Sequence, residues 1–299
     1  MTNQDENAHR LDTEQSNPRS DGLDRLDTEA MLRVINSEDR SVPEAVASAI
    51  PDIAAIVERA GDAIRAGGHL HYFGAGTSGR LGVLDASEMP PTFGVTSDLV
   101  QGHIAGGDVA IRHPVEGAED SLDAGRRAVE DAGVTSDDVV VALSASGGAP
   151  YCIGVLERAR ELGAFTGAIV CNADTPLHDV ADRSVTVRVG PEVLTGSTRL
   201  KAGTAQKLVL NMISTGAMVR VGFTYGNLMV GLTPTNTKLR DRARRLVRTI
   251  TGLDDPESVL EACGWDVRTA CIAVSRGLAP EAAAAHLSAC DGSLRRALE

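Results

Sequence analysis

Residues 69–79 read HLHYFGAGTSG, a short apolar segment that runs into a loop of small and hydroxyl-bearing residues. We interpret His69–Phe73 as a β-strand and Gly74–Gly79 as the loop that follows it. The same arrangement returns where the apolar segment Val139–Leu143 is followed by Ser144–Gly148. Two more short apolar segments predict strands at Ala168–Cys171 and Val185–Val189.

Segments with helical periodicity separate these strands. Apolar residues recur at helical spacing from Ile53 to Ile64, and Gly67-Gly68 is expected to end that helix. Three more helices are predicted, at Ser121 to about Ala132, Pro150–Leu162 and about Thr198–Val221. Strands that alternate with helices of about 10–20 residues are typical of α/β proteins, so we predict a doubly wound parallel sheet.

The chain changes character after about residue 235, where strand signals stop and Arg-rich helical sequence continues. An internal repeat with a spacing of 27 residues pairs Leu260 with Leu287 and Cys263 with Cys290. We interpret the repeat as two helix-turn-helix units that form a packing module without site chemistry. The predicted organisation is an N-terminal helical arm, an α/β domain and a small all-helical subdomain, at residues 1–52, 53–232 and 233–299.

Composition excludes several classes of partner. The chain has 29 basic and 41 acidic residues, a net charge of −12, whereas proteins that bind nucleic acid present clustered Lys and Arg. Its aromatic residues are one Trp, three Tyr and four Phe, too few for the stacking platforms of single-strand binders. We therefore expect no nucleic-acid partner, although backbone N–H groups and hydroxyls could still hold a small phosphate.

The cysteines do not indicate a redox or zinc site, and the apolar segments do not indicate a membrane span. The five cysteines are odd in number and form no Cys-x-x-Cys pair and no Cys/His cluster at zinc spacing. Residues 1–10 are polar, and no apolar run approaches the roughly 18 residues of a membrane span. We expect a cytoplasmic protein with no membrane partner, no metal and no cofactor.

Three small, hydroxyl-rich loops are the candidate ligand-binding segments: Gly74–Gly79, Ser144–Gly148 and Thr195–Thr198. Ligands of open α/β sheets bind beyond the carboxyl ends of the strands, where two of these loops are expected. The first loop also matches the dinucleotide fingerprint G-x-G-x-x-G, but Asp98 is the only acidic candidate for the ribose and Pro residues interrupt the approach to it. We favour a phosphate monoester, and a plain turn stays open for any single loop.

Two acidic stretches lie between the first two loops, at residues 85–91 (DASEMPP) and 116–120 (EGAED). Glu88 precedes Met-Pro-Pro, and we expect it to be partly buried, which would raise its pKa toward the range of proton transfer. Helix capping and solvation are the alternative for both stretches, and composition alone favours that alternative.

Longer blocks carry a family resemblance. The chain closely resembles N-acetylmuramic acid 6-phosphate etherases, whose fold is the sugar isomerase (SIS) α/β domain. The resemblance covers nearly the whole chain, from the N-terminal arm to the helical tail, and its most specific blocks are Gly74–Gly94 (GAGTSGRLGVLDASEMPPTFG), Glu116–Asp120 (EGAED), Ser144–Gly147 and Gly190–Gly231.

The resemblance implies a lyase that removes the lactyl ether from C3 of the sugar, giving N-acetylglucosamine 6-phosphate and D-lactate. By position it implies that Glu88 is the general acid/base and that Glu119 is the second catalytic carboxylate. The implied substrate and phosphate contacts come from all three loops: Gly76, Thr77, Ser78, Ser144, Ser146, Gly147, Thr195, Ser197 and Thr198. Proteins of this fold commonly form homodimers, so a homodimer is expected.

Two rival functions are compatible with the same fold, a non-catalytic phosphosugar sensor and a sugar-phosphate isomerase. The presence of both Glu88 and Glu119 argues against the sensor, and the long etherase-like block argues against the isomerase. One departure from the family pattern is Gly148-Ala149, where a longer polar residue and Thr are usual. Because one hydrogen bond contributes about 1 kcal/mol, we expect weaker substrate binding rather than lost activity.

Overall fold

The computed structural model describes residues 11–232 and 234–299. The first ten residues of the predicted arm, and Thr233 at the start of the predicted subdomain, lie outside the described residues. The chain forms two compact units, one of residues up to Ala86 with Val100–Ile213, the other of Ser87–Leu99 with Ser214–Glu299. The predicted division at residues 52 and 232 stays a prediction.

A five-stranded parallel sheet organises the first unit. Its strands are β1 (Leu70–Gly74), β2 (Val100–Ile104), β3 (Val139–Leu143), β4 (Phe165–Val170) and β5 (Arg183–Thr186). The strand order is β2-β1-β3-β4-β5, so the chain adds strands first on one side of β1 and then, from β3 onward, on the other side. The predicted doubly wound parallel sheet is confirmed.

The strands differ from the predicted ones at the two edges of the sheet. The prediction lacked β2, whose sequence VQGHI has partly exposed residues at its centre, as expected of an edge strand. The predicted strand Val185–Val189 is wrong in its bounds, because β5 spans Arg183–Thr186. Central strands β1 and β3 are buried at every position, which is why their apolar pattern was clear.

Helices connect and cover the strands. In chain order they are α1 (Thr28–Asp39), α2 (Val42–Ser48), α3 (Ile50–Ala66), α4 (Gly76–Ser87), α5 (Met89–Phe93), α6 (Val109–Arg112), α7 (Leu122–Asp131), α8 (Pro150–Glu161), α9 (Pro176–Val180), α10 (Lys201–Val221), α11 (Thr237–Thr251), α12 (Glu257–Ala262), α13 (Val267–Arg276), α14 (Pro280–Ala289) and α15 (Leu294–Leu298). Short 3₁₀ turns occupy Asp12–Glu14, Pro18–Ser20, Leu23–Arg25 and Ala118–Asp120. Within the described residues, no helix is long and apolar enough to cross a membrane.

Apolar periodicity and glycine shape the helices of the first unit. Ile53, Ile56 and Ile64 are buried along one face of α3, which ends at Gly67 with a φ of 93°. Helices α7 and α8 pack backbone to backbone at two glycines. A Cβ on Gly125 would lie 2.0 Å from the Tyr151 carbonyl oxygen, and one on Gly154 would lie 2.1 Å from that of Leu122.

A buried ion pair attaches the N-terminal segment to the long helix α10. Lys201 is 1% exposed and Glu38 is 4% exposed, and the Lys201 ammonium donates to the Glu38 carboxylate at 2.9 Å. Asn17 and Arg19 also donate to Glu38. Glu192 accepts hydrogen bonds from the backbone N–H groups of Lys201 and Ala202 and so caps the start of α10.

The second unit has its own apolar core, built around Leu260, Val267, Leu287 and Leu294. The 27-residue repeat is confirmed in its turns. Gly264 and Trp265 have positive φ in the first turn, as do Asp291 and Gly292 at the equivalent positions. The next residue in each unit, Asp266 or Ser293, caps the following helix with its side chain. A two-stranded antiparallel hairpin, β6 (Thr224–Tyr225) and β7 (Leu228–Met229), completes the unit.

The Glu38 cluster predicts a loss of stability in acid. Burial alone would raise the pKa of Glu38, but hydrogen bonds from Arg19, Lys201 and Asn17 lower that pKa to about 2. The pair therefore contributes fully above the unfolded pKa near 4.5 and loses its contribution as the pH falls toward 2. We expect roughly 2–3 kcal/mol of stability to disappear over this range, measured by urea unfolding at successive pH values.

The control for this prediction is Glu38→Gln. The variant is expected to be destabilised at pH 7 by about 3–5 kcal/mol, because it leaves the Lys201 ammonium buried without a counter-charge. Its stability should vary less than that of the wild type between pH 4.5 and pH 2. Equal acid dependence in the two proteins would contradict the assignment.

Candidate active site

The first two hydroxyl-rich loops begin side by side. In the parallel register of the sheet, Gly74 at the end of β1 pairs with Leu143 at the end of β3. The loops after these strands therefore leave from the same carboxyl edge, where neighbouring strands are about 4.8 Å apart. Between β1 and β3 the order of the strands in the sheet reverses, and the carboxyl edge at such a point is the usual ligand position in open α/β sheets.

The first loop is shorter than predicted, because α4 already begins at Gly76. Gly76 is exposed and Thr77 is partly exposed, so both lie at the surface of the helix N-terminus. N–H groups in the first turn of a helix have no partner within the helix and can donate to an anion. Ser78 differs from its neighbours, because it is buried and its hydroxyl donates to Gln206 at 2.9 Å.

Polar residues far apart in sequence form a network behind this helix. Lys207 on α10 donates to Asp85 on α4 at 3.2 Å, and Asp85 is 4% exposed. Burial, together with the negative charge of Asp85, raises the pKa of Tyr72 well above its usual value. The network holds α4 against α10 beneath the first loop.

A cavity of about 300 Å³ links the first loop to the start of α10, which follows the third loop. It brings together an exposed arginine, a partly exposed lysine and threonine hydroxyls, all suited to an anionic ligand. The lining residues are Thr77, Leu81, Arg199, Gly203, Thr204, Lys207 and Leu208. Sequence reasoning missed Lys207 and Arg199, although Lys is rare in this chain and occurs only at 201, 207 and 238.

Hydrogen bonds from backbone N–H groups to serine hydroxyls of the same segment fix the conformation of the second loop. The backbone N–H of Gly147 donates to Ser144 Oγ at 3.1 Å, and that of Gly148 donates to Ser146 Oγ at 3.3 Å. Gly147 has a φ of 74°, and a Cβ there would lie 2.2 Å from Thr175 Oγ1. The loop therefore requires glycine at 147 for both its conformation and its close approach to Thr175.

The N-terminal segment packs against the second and third loops, which sequence reasoning did not predict. Asn172 Nδ2 donates to the Ala145 carbonyl at 2.9 Å and to Thr13 Oγ1 at 3.0 Å. A Cβ on Gly196 would lie 3.1 Å from a carboxylate oxygen of Glu14. In the third loop Thr195 is exposed, and Ser197 and Thr198 are partly exposed.

The two candidate catalytic carboxylates belong to different compact units. Glu119 is exposed on the 3₁₀ turn Ala118–Asp120. Burial and then the charge of Glu119 raise the pKa of Cys152 to about 12, so this turn lies near the first turn of α8, just after the second loop. Glu88 is at the N-cap of α5 in the second unit.

The expectation that Glu88 is partly buried is wrong, because its side chain is exposed. The buried residue of this segment is its neighbour Met89, which is 3% exposed. The pairing of Glu88 with Glu119 stays a prediction.

Comparison with known proteins decides the family. The chain is 51% identical over 290 residues to an N-acetylmuramic acid 6-phosphate etherase of Yersinia pestis (strain Pestoides F), a match that covers 96% of this chain and 98% of the relative. The chain belongs to the N-acetylmuramic acid 6-phosphate etherase family. An etherase of Yersinia pseudotuberculosis serotype O:1b (strain IP 31758) matches at the same identity and coverage. The predicted family resemblance is confirmed, and membership of an etherase family makes the protein a carbon–oxygen lyase.

Two domain-family models each match part of the chain. Residues 52–160 match the glucokinase regulatory protein N-terminal SIS domain, and residues 124–215 match the SIS domain. A phosphoheptose isomerase from Francisella tularensis is a structural neighbour with 18% sequence identity and a TM-score of 0.48, covering 62% of this chain and 97% of that chain.

Ala149, where the family resemblance leads us to expect Thr, lies at a helix cap. Ala149 is the N-cap of α8 and makes no side-chain capping hydrogen bond. Thr at this position would supply a hydroxyl for an orphan N–H of the first turn. We therefore expect the residue at 149 to affect the start of α8 as well as the predicted phosphate contact.

Gly147→Ala is expected to lower the free energy of unfolding by roughly 2–4 kcal/mol, since alanine is strained at positive φ and would overlap Thr175. The matched control is Gly148→Ala, because nothing lies within 4 Å of a Cβ at that position. Urea unfolding of the two variants measures the difference. Equal stability of both would contradict the account of the loop.

Ala149→Thr is expected to stabilise the protein by about 1 kcal/mol through the helix cap. Thermal unfolding measures this gain, and the substrate KM of the same variant measures the phosphate contact. A lower KM with unchanged stability would show that the threonine hydroxyl binds the substrate phosphate and does not cap the helix. An unchanged KM with higher stability would assign it to the cap alone.

Proposed function

We propose that this enzyme cleaves the lactyl ether of N-acetylmuramic acid 6-phosphate by elimination and water addition, in the recycling of cell-wall amino sugars. The products are N-acetylglucosamine 6-phosphate and D-lactate. The observation that carries the proposal is the 51% identity to curated etherases over 96% of the chain. Hydroxyl-rich loops at the carboxyl edge of the sheet support a phosphosugar as the ligand.

The chemistry requires one proton to leave and another to arrive. In the open-chain sugar the C1 aldehyde acidifies the C2 proton, which a carboxylate removes. The C3–O bond then breaks, the ether oxygen leaves with lactate and receives a proton, and a C2–C3 double bond forms. Water adds its oxygen to C3 while C2 regains a proton. A pair of carboxylates with separate roles as base and acid suits this sequence of steps.

Glu88 and Glu119 are proposed as that pair. Both side chains are exposed, so each can reach a ligand without first being uncovered. Both are on short elements, Glu88 at the N-cap of α5 and Glu119 on a 3₁₀ turn. The assignment of which one removes the C2 proton stays open.

The phosphate is proposed to lie at the first two loops, with the third loop closing the pocket. Gly76 and Thr77 offer helix N-terminal N–H groups and a hydroxyl, and Ser146 offers a partly exposed hydroxyl. Ser78 and Ser144 are buried and supply the hydrogen bonds that shape the first two loops. Gly147, Thr195, Ser197 and Thr198 complete the proposed set. Arg199 and Lys207 add positive charge at the cavity that adjoins Thr77.

The purified protein is expected to release D-lactate from N-acetylmuramic acid 6-phosphate without added metal or nucleotide. Glu88→Gln and Glu119→Gln should each lower kcat by about 10²–10⁴-fold while KM changes little, because proton transfer is lost and the phosphate contacts remain. A coupled D-lactate assay measures both constants.

Glu116→Gln is the matched control, since Glu116 is an exposed carboxylate in the same EGAED segment. It should retain near-normal turnover. Phosphosugar binding without lactate release by the wild type would instead support the sensor. Conversion of a sugar phosphate to its isomer without lactate would support the isomerase.

We also propose that the enzyme is a cytoplasmic homodimer, as the family resemblance suggests, and that it divides into an arm, a SIS domain and a helical subdomain at residues 52 and 232. Analytical ultracentrifugation measures the mass of the species in solution. A monomer at assay concentrations would contradict the proposed dimer.

A further inference from the structure

A cluster of histidines and one aspartate lies at the amino edge of the sheet, opposite the hydroxyl-rich loops. His69 and Asp138 immediately precede β1 and β3, and His71 is the second residue of β1. Asp138 is 3% exposed and His71 is 1% exposed, whereas His69 is partly exposed. The cluster therefore joins the starts of two central strands and reaches the surface at His69.

The three residues can each supply one ligand atom to the same point. His69 Nδ1 lies 3.0 Å from Asp138 Oδ1, and His71 Nε2 lies 4.0 Å from Asp138 Oδ2. The three ligand atoms all lie within 4.8 Å of one another. In a tetrahedral zinc site with bonds of about 2.0–2.1 Å, neighbouring ligand atoms are roughly 3.3 Å apart. Small side-chain rotations would convert the observed spacing to that geometry.

His71 has the hydrogen bonding of a metal ligand. Its Nε2 is buried and has no hydrogen-bond partner among the residues that the structure describes, which is a costly arrangement for an imidazole nitrogen. Its other nitrogen, Nδ1, lies 3.2 Å from His103 Nε2. When Nδ1 carries the proton and donates to His103, Nε2 keeps a free lone pair that faces the cluster. Metal-bound histidines usually have such a partner on the second nitrogen.

Asp138 also has the surroundings of a metal ligand, because hydrogen bonds fix its carboxylate. Its Oδ1 accepts from the backbone N–H of His69, and its Oδ2 accepts from the backbone N–H and the hydroxyl of Thr135. Carboxylates that bind metal are usually oriented by such hydrogen bonds.

We propose that His69 Nδ1, His71 Nε2 and the Asp138 carboxylate bind one divalent transition-metal ion of the Zn²⁺ type. His69 binds the ion as the neutral tautomer with its proton on Nε2, so that the ion replaces the proton between Nδ1 and Asp138 Oδ1, and water completes the coordination at the exposed side. Two imidazoles favour zinc over magnesium or calcium, which prefer oxygen ligands. The site is structural, because it lies at the edge of the sheet opposite the proposed reaction.

Calorimetric titration of chelator-treated, full-length protein with Zn²⁺ alone tests the proposal. We expect about one ion per chain and a Kd on the order of micromolar or tighter. His69→Asn and His71→Asn should each weaken binding by about 100-fold or more, and His103→Phe by about 10–100-fold. The matched control is His113→Asn, an exposed histidine outside the cluster, which should bind like the wild type. Asp138 is not substituted, because it also accepts hydrogen bonds from the backbone N–H groups of His69 and Thr135.

Titration with Co²⁺ provides a second measurement that does not depend on stability. Binding at the cluster should produce the visible absorption bands of tetrahedral cobalt, and His71→Asn should abolish them. Zinc should also raise the thermal midpoint of the wild type and leave that of His71→Asn unchanged. Absence of zinc binding by folded wild type would overturn the proposal. Full-strength binding by His71→Asn would also overturn it, because the metal would then be held by exposed side chains.

Discussion

The buried ammonium of Lys201 is the interaction on which the arrangement of the loops depends. It is paired with Glu38, which in turn holds Asn17 and Arg19 of the N-terminal segment. The backbone N–H of the same lysine donates to the carboxylate of Glu192, a residue that lies just before the third loop in the sequence. One residue therefore joins the N-terminal segment, the third loop and the start of α10. Because a buried charge without its partner costs several kcal/mol, these three segments must assemble together.

The two edges of the central sheet present different chemistry. The carboxyl edge carries short loops in which glycine, serine and threonine expose N–H and hydroxyl groups, so an acidic chain can hold a phosphate without a basic surface. The N-terminal segment also reaches this edge, where Thr13 contacts Asn172 and Glu14 lies close to Gly196. The amino edge carries imidazoles and a carboxylate instead. The proposed phosphate site and the proposed metal site are thus separated by the length of the strands.

The sequence was sufficient to predict what depends on local pattern. The central strands β1 and β3, the helix ended by Gly67 and the 27-residue repeat all followed from apolar spacing and glycine. It could not predict β2, whose edge position weakens its apolar pattern. Contacts such as Ser78 with Gln206 or Lys207 with Asp85 were also missed, because they join residues more than 100 positions apart. Glu88 is exposed because the following residue, Met89, takes the buried position at the start of α5. Local sequence does not determine which of the two neighbours is buried.

The position of solvent atoms in the products tests the central claim, elimination across C2–C3 followed by water addition. The reaction is run in H₂¹⁸O and, separately, in D₂O, and the products are analysed by mass spectrometry and NMR. The account predicts ¹⁸O on the C3 hydroxyl of N-acetylglucosamine 6-phosphate, no ¹⁸O in the ether-derived hydroxyl of lactate, and deuterium at C2. Oxygen-18 in that lactate hydroxyl, or a C2 position without deuterium, would contradict it.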